Sequence, residues 1–148
     1  MKKIFISISI ISILLIFGSC SKEKQIERRL VKNEGIWNID EISYRSFENN
    51  FETGTSTYSN VGSMEFKKDG TGSITYINPG QPNEVYSFGW ISTSDQLILN
   101  YDAPLMSGQI EILKILFQSR KEMRLEQTEE SIFIGTTYKD VIVYKITK

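Results

Sequence analysis

The sequence predicts an all-β protein: an eight-stranded antiparallel up-and-down barrel preceded by one short helix. Three observations carry this reading. Apolar residues recur with period two in eight short runs after Gly35. Each run is bounded by Gly, Asn, Asp, Ser or Pro. Tight connections alternate with long ones along the chain. A meander with a single apolar face hides its edges best by closing on itself. At eight strands, the interior is just wide enough to be filled by side chains or to hold one small ligand.

The first element is an export signal. Lys2 and Lys3 precede a run from Ile4 to Phe17 that is apolar except for Ser7, Ser9 and Ser12, and Gly18, Ser19 and Cys20 follow. The run is shorter than the ~20 apolar residues that a membrane span needs. Its positive start and small-residue end are those of a cleaved signal peptide. The polar stretch Ser21-Lys22-Glu23-Lys24-Gln25 is expected to be a tether. Ile26, Leu30 and Val31 then share one side of a helix, with Glu27, Arg28 and Arg29 between them. A helix this short is not stable alone and must pack on the rest of the chain. The expected organisation is a signal segment over 1–19, a tether and short helix over 20–33, and a barrel over 34–148.

The strands follow in order. Trp37 and Ile39 alternate, then Ile42 and Tyr44, with a phase slip at Asp40-Glu41 that marks a β-bulge. Met64 and Phe66 define the second run, Ile74 and Tyr76 the third, and Tyr86, Phe88 and Trp90 the fourth. Leu97, Leu99 and Tyr101 give the fifth; the sixth, Ile110 to Phe117, is more continuously apolar. Met123 and Leu125 mark the seventh, and Ile142, Tyr144 and Ile146 the last. Lys67 to Gly70, with its Asp-Gly pair, reads as a tight hairpin, and so do Ser92 to Asp95 and Ser119 to Glu122. Long loops are expected at Ser46 to Asn60, Asn78 to Glu84, Asp102 to Gly108 and Glu129 to Asp140. Within the last of these, Ile132-Phe133-Ile134 reads either as an additional strand or as an apolar lid.

Alternate connections of a meander lie at the same end. All the short turns therefore gather at a closed end and all the long loops at a mouth. Trp37, Phe66 and Trp90 fall in the closed half and read as a core plug. Tyr44, Tyr76, Tyr86 and Tyr101 fall in the mouth half, on the same strand faces as Phe88 and Leu99. Together these six are the candidate ligand pocket, since an inward tyrosine with a wet hydroxyl suits a binding mouth. The competing reading is that the tyrosines complete a filled core.

Composition narrows the chemistry. The chain has 148 residues, enough for one domain, with no histidine and one cysteine. That excludes a zinc finger, a His-ligated metal site, a Ser-His-Asp or Cys-His unit and an internal disulfide. No catalytic residue, metal ligand or cofactor is assigned, and the protein is not expected to be an enzyme. A formal net charge of −1 gives no footprint for nucleic acid. Gly70-Thr71-Gly72 reads as a hairpin turn, because a strand rather than a helix follows it. Neighbours in a strand point to opposite faces, so Asp40-Glu41 and Glu129-Glu130 make no ready acid–base dyad.

Two short motifs carry family resemblances. Phe17-Gly18-Ser19-Cys20 resembles the lipobox of bacterial lipoproteins. The resemblance implies cleavage before Cys20, a diacylglycerol on its sulfur, and a protein that sits on a membrane through acyl chains without spanning it. Ser21 and Lys22 lack the Asp associated with inner-membrane retention, which implies the outer membrane of the cell envelope. Gly35-Ile36-Trp37 resembles the Gly-x-Trp hallmark of lipocalins. With Met64 to Gly72 and Phe88-Gly89-Trp90, residues 33–148 are similar to small lipocalin-like lipoproteins of Gram-negative bacteria. This implies that Trp37 packs across the closed end beneath the helix, and that Ser46 to Asn60 matches the lipocalin lid loop. The expected function is a lipid-anchored envelope protein that binds a small hydrophobic molecule. The alternative is a non-enzymatic module whose long loops bind a protein partner over a filled core.

Overall fold

A computed structural model describes residues 22–102 and 109–148. The signal segment with Cys20, and Pro104 in the fifth connection, lie outside the described residues. Helix α1 (Lys22–Leu30) leads through a 3₁₀ turn (Asn33–Gly35) into β1 (Ile36–Glu48). The chain continues through β2 (Phe51–Phe66), β3 (Thr71–Tyr76), β4 (Glu84–Ser92), β5 (Gln96–Tyr101), β6 (Ile110–Gln118), β7 (Glu122–Phe133) and β8 (Thr136–Thr147). Each strand pairs with its sequence neighbours, and β8 returns to β1, so the described residues form a closed eight-stranded antiparallel barrel. Among these residues no helix is long and apolar enough to cross a membrane.

The bulge falls where the phase slip places it: Ile39 opposes Ile146 and Glu41 opposes Lys145, leaving Asp40 over. It keeps Ile39 and Ile42 both in the core, which regular alternation would not allow.

The helix is longer than expected at its start. Lys22 to Gln25, read as tether, are helical. The helix buries Ile26 and Leu30 completely. It lies across the closed end, where the Trp37 indole N–H donates to the Leu30 carbonyl at 3.0 Å. That bond satisfies one of the orphan carbonyls at the helix end. Gly35 makes the close approach possible. Its φ of +75° is left-handed, and a Cβ there would run into the Phe66 carbonyl.

The closed half is solid. Trp37 and Phe66 are fully buried and Trp90 nearly so. The Phe66 ring meets Trp90 edge-on at 5.6 Å, and the Trp90 indole N–H donates to the Thr71 carbonyl at 3.0 Å. Phe88 and Leu99 are fully buried in the same core.

Two expected long loops are strands. Ser46 to Asn60 extends β1 and β2, which turn back on each other through Asn49 and Asn50, with φ of 49° and 68°. Consecutive left-handed residues are the tight hairpin turn that matches strand twist, and Asn tolerates that conformation. Residues 46–60 are therefore not a lid loop. Glu129 to Asp140 extends β7 and β8 in the same way, turning at Ile134-Gly135. Ile132 and Phe133 end β7 and Ile134 occupies the turn, so the segment is neither an additional strand nor a lid. The four strands β2, β1, β8 and β7 stay paired beyond the barrel, forming a projecting sheet along one side of the mouth.

Candidate functional site

The mouth is shaped by where pairing stops. β2 and β3 pair only from Phe66↔Gly72 to Gly62↔Tyr76, closed off by an Ile77 N–H bond to the Val61 carbonyl at 2.7 Å. Beyond that point β2 continues upward with β1, while residues 77–83 turn away. The gap is a cleft of about 610 Å³, open to solvent. Ile42, Tyr44, Tyr58, Val61, Tyr76 and Ile77 supply its apolar and aromatic walls, with Asn60 and Asn78 at its polar edge. Tyr44 and Tyr58 meet edge-on at 5.8 Å, and Tyr76 meets Tyr86 at 6.2 Å.

Of the six pocket candidates, Tyr44 and Tyr76 line this cleft. Tyr86 packs on the core, and its hydroxyl donates to Glu84 at the rim at 2.7 Å. Tyr101 is buried deeper, and Phe88 and Leu99 lie wholly within the core below. Tyr58, absent from the sequence-based set, belongs to the extended part of β2.

A buried polar cluster lies beside the cleft. Glu111, on β6, is 8% exposed and faces the barrel interior. The Tyr101 hydroxyl donates to its Oε2 at 2.6 Å and the Tyr144 hydroxyl to its Oε1 at 3.3 Å. Tyr144 also interacts with the Tyr76 hydroxyl, which connects this cluster to the cleft wall. Burial pushes the Glu111 carboxyl above its usual range, the two tyrosine hydrogen bonds pull it back, and nearby Glu129 raises it further. Tyr76, Tyr101 and Tyr144 are raised too, first by burial and then mainly by the Glu111 charge, so they stay protonated donors.

Glu111 was not singled out from the sequence, although a signal for it exists. Glu111 and Lys114 are three residues apart in one strand, so they point to opposite faces and one charge must enter the barrel. The structure puts Lys114 outside, opposite Glu126 on β7, and Glu111 inside with Leu113. Ile110 and Ile112 are consequently exposed on the outer wall.

Among the described residues, no group of three or more carboxylates or thiols is placed to hold a metal ion. No protein-family model and no curated protein sequence matches the chain. Solved structures do resemble it. A lipocalin-like protein from Bacteroides uniformis is 10% identical, with a TM-score of 0.48 over 76% of this chain and 94% of its own. A protein from Bacteroides eggerthii is 11% identical, with a TM-score of 0.46 over 76% of this chain and 97% of its own. A bovine odorant binding protein variant is 13% identical, with a TM-score of 0.35 over 77% of this chain and 72% of its own. The described residues form a closed eight-stranded antiparallel barrel, and one of the solved structures similar to it is a lipocalin-like protein.

Proposed function

We propose that the protein is a lipid-anchored envelope protein that binds a small hydrophobic molecule at the barrel mouth. The observation that carries the binding role is the open cleft of about 610 Å³ at the mouth, walled by Tyr44, Tyr58 and Tyr76. Its size is that of a small-molecule site, and its walls combine apolar surface with a few polar groups. Apolar burial there contributes ~25 cal/mol per Å² removed from water, and tyrosine hydroxyls orient the guest. The test is native mass spectrometry of the full chain purified from its own host. A co-purifying small molecule, lost in Tyr76→Ala, supports the reading. A guest-free protein in which apolar probes also give no saturable change in tyrosine fluorescence refutes it.

Anchoring rests on Phe17-Gly18-Ser19-Cys20 and is tested separately. Cys20→Ala should leave the protein unprocessed or release it. A processed Cys20→Ala protein that still fractionates with membranes would overturn the anchor. A second reading, a module for a protein partner, is favoured by the apolar hairpin tips, where Phe51 is 78% and Ile134 86% exposed. In that case Phe51→Ser and Ile134→Ser should abolish partner capture.

A further inference from the structure

We propose that the outer wall formed by β4, β5 and β6 rests on the bilayer in which the chain is anchored, so that the barrel leans on one side of its closed base. This rests on the reading of Cys20 as a lipid anchor, and it assigns a second, non-covalent membrane contact to the folded domain.

The wall departs from what an antiparallel barrel presents to water. Strand residues alternate between core and solvent, and the solvent-facing set is ordinarily polar. On β4, Phe88 and Trp90 point inward, which leaves Val85 and Ile91 outward. On β5, Leu97 and Leu99 point inward and Ile98 outward; on β6, Glu111 and Leu113 point inward and Ile110 and Ile112 outward. The register aligns them. Ile91 pairs with Ile98 and Ile98 with Ile112, a row of three isoleucines across three strands. Over Val85 to Ile91, Gln96 to Asn100 and Ile110 to Lys114, the outward positions carry one charge, Lys114. The opposite wall is different: there Arg124, Lys145 and Glu41 lie side by side on β7, β8 and β1. Ile91, Ile110 and Ile112 are each more than half exposed. A contiguous apolar face of this kind marks a contact surface, which singly scattered apolar residues do not.

That the occupant is lipid follows from where the anchor joins the fold. The isoleucine row adjoins the last pair of its hairpin, Ser92 with Leu97, and so lies at the closed end. Helix α1 flanks it there: Glu27, Arg28 and Val31 line one groove with Trp90 and Ile91. A second groove, sharing Gly70, Trp90 and Ile91, continues along the wall past Gly89 to Ile98. Cys20 lies two residues before Lys22, where this helix starts, a reach of about 7 Å. From Lys22 to Glu27 the helix rises by roughly 8 Å. The acylated residue is therefore within roughly 15 Å of the groove. An anchor that close holds the wall beside the bilayer, where apolar side chains gain by entering the boundary between headgroups and acyl chains. Arg28 and Lys68 border the groove beside Ile91, and their long stems let the charged heads reach lipid phosphates while the isoleucines insert. The projecting sheet, centred on β1 and β8, lies on the far side of the barrel and stays in water.

The test uses the full-length chain in phosphatidylcholine vesicles containing lipids brominated in the upper acyl chain as quenchers. A fluorophore is placed on Ile91→Cys or, on the opposite wall, on Glu41→Cys; an acylated Cys20 does not take the label. Quenching of the Ile91 label is expected to exceed that of the Glu41 label by about threefold or more, since interfacial side chains sink about 5–10 Å into the headgroup and acyl boundary. Should Ile91→Cys fail to fold, Ile112→Cys takes its place with the same expectation. Equal quenching at both walls in vesicle-bound protein overturns the wall contact and leaves the anchor standing. Failure of the full-length chain to float with vesicles overturns the anchor and the contact together. Ile91→Cys copies that cross-link to each other without lipid quenching assign the wall to a second copy and overturn the proposal. Protection of the label by a protein of the host envelope, again without lipid quenching, overturns it in favour of a protein partner.

Discussion

Replacing Trp37 by alanine tests how the helix and barrel are joined. The indole is fully buried, its N–H holds the Leu30 carbonyl at 3.0 Å, and the Lys148 ammonium lies 4.7 Å from the ring centroid. Truncating a buried Trp costs about 3–5 kcal/mol in transfer and cavity terms. The freed Leu30 carbonyl adds to this unless water reaches it. The nine-residue helix cannot persist once undocked, so Ile26 and Leu30 would be exposed as well. We expect a loss near ~4 kcal/mol, a large share of the ~5–15 kcal/mol typical of a domain. In urea, with a slope of about 2 kcal/mol per molar, the midpoint should fall by roughly 2 M. Trp37→Phe keeps most of the volume but loses the N–H bond, and should cost about 1–2 kcal/mol. A Trp37→Ala midpoint close to wild type would refute the docked-helix account. A Trp37→Phe protein as damaged as Trp37→Ala would assign the effect to the hydrogen bond rather than to packing.

Two further substitutions probe the mouth. Glu111 is faced by Tyr44 on β1, Tyr76 on β3, Tyr101 on β5, Glu129 on β7 and Tyr144 on β8, and its carboxyl is raised above the ordinary value near 4.5. The native state then binds a proton more tightly than the unfolded chain, so stability falls as pH rises from about 4.5 through the raised value. Urea titrations at pH 4 and pH 7 should therefore show Glu111→Gln gaining on wild type at the higher pH; an unchanged difference would contradict a raised carboxyl. Ile134 sits in the second hairpin turn at φ 48°, a conformation β-branched residues rarely adopt. Ile134→Asn should stabilise the protein by about 1 kcal/mol in thermal unfolding, and destabilisation would mean that the exposed isoleucine packs on something in solution.

The barrel was legible in the sequence where one face is buried and the other wet. Trp37, Met64, Ile74, Phe88, Leu99 and Leu125 alternate with exposed or half-buried neighbours, and the Asp40 bulge shows as a phase slip. The projecting sheet was illegible for the same reason. Residues 51–60 are exposed throughout, so no alternation marks them as strand. Their pairing with β1, and not an apolar face, makes them extended. Asn49-Asn50 was the available turn signal, weaker than the Asp-Gly at Asp69-Gly70. At the mouth, period two placed the tyrosines, but the run from Ile110 to Phe117 offered apolar side chains on both faces. Only the mismatch of Glu111 with Lys114 could have revealed the buried carboxylate.

The helix across the closed end bears on which way the protein looks. The proposed anchor, Cys20, precedes Lys22 by two residues, a reach of no more than about 7 Å along the chain. With acyl chains at Cys20, the helix stays near the headgroups and the barrel stands on its sealed base. The Tyr44 and Tyr76 opening then points into the aqueous compartment, away from the anchoring bilayer. A guest in that orientation comes from solution, from another protein or from a facing surface. Lateral extraction from the lipid in which the protein is rooted is the one route this posture disfavours.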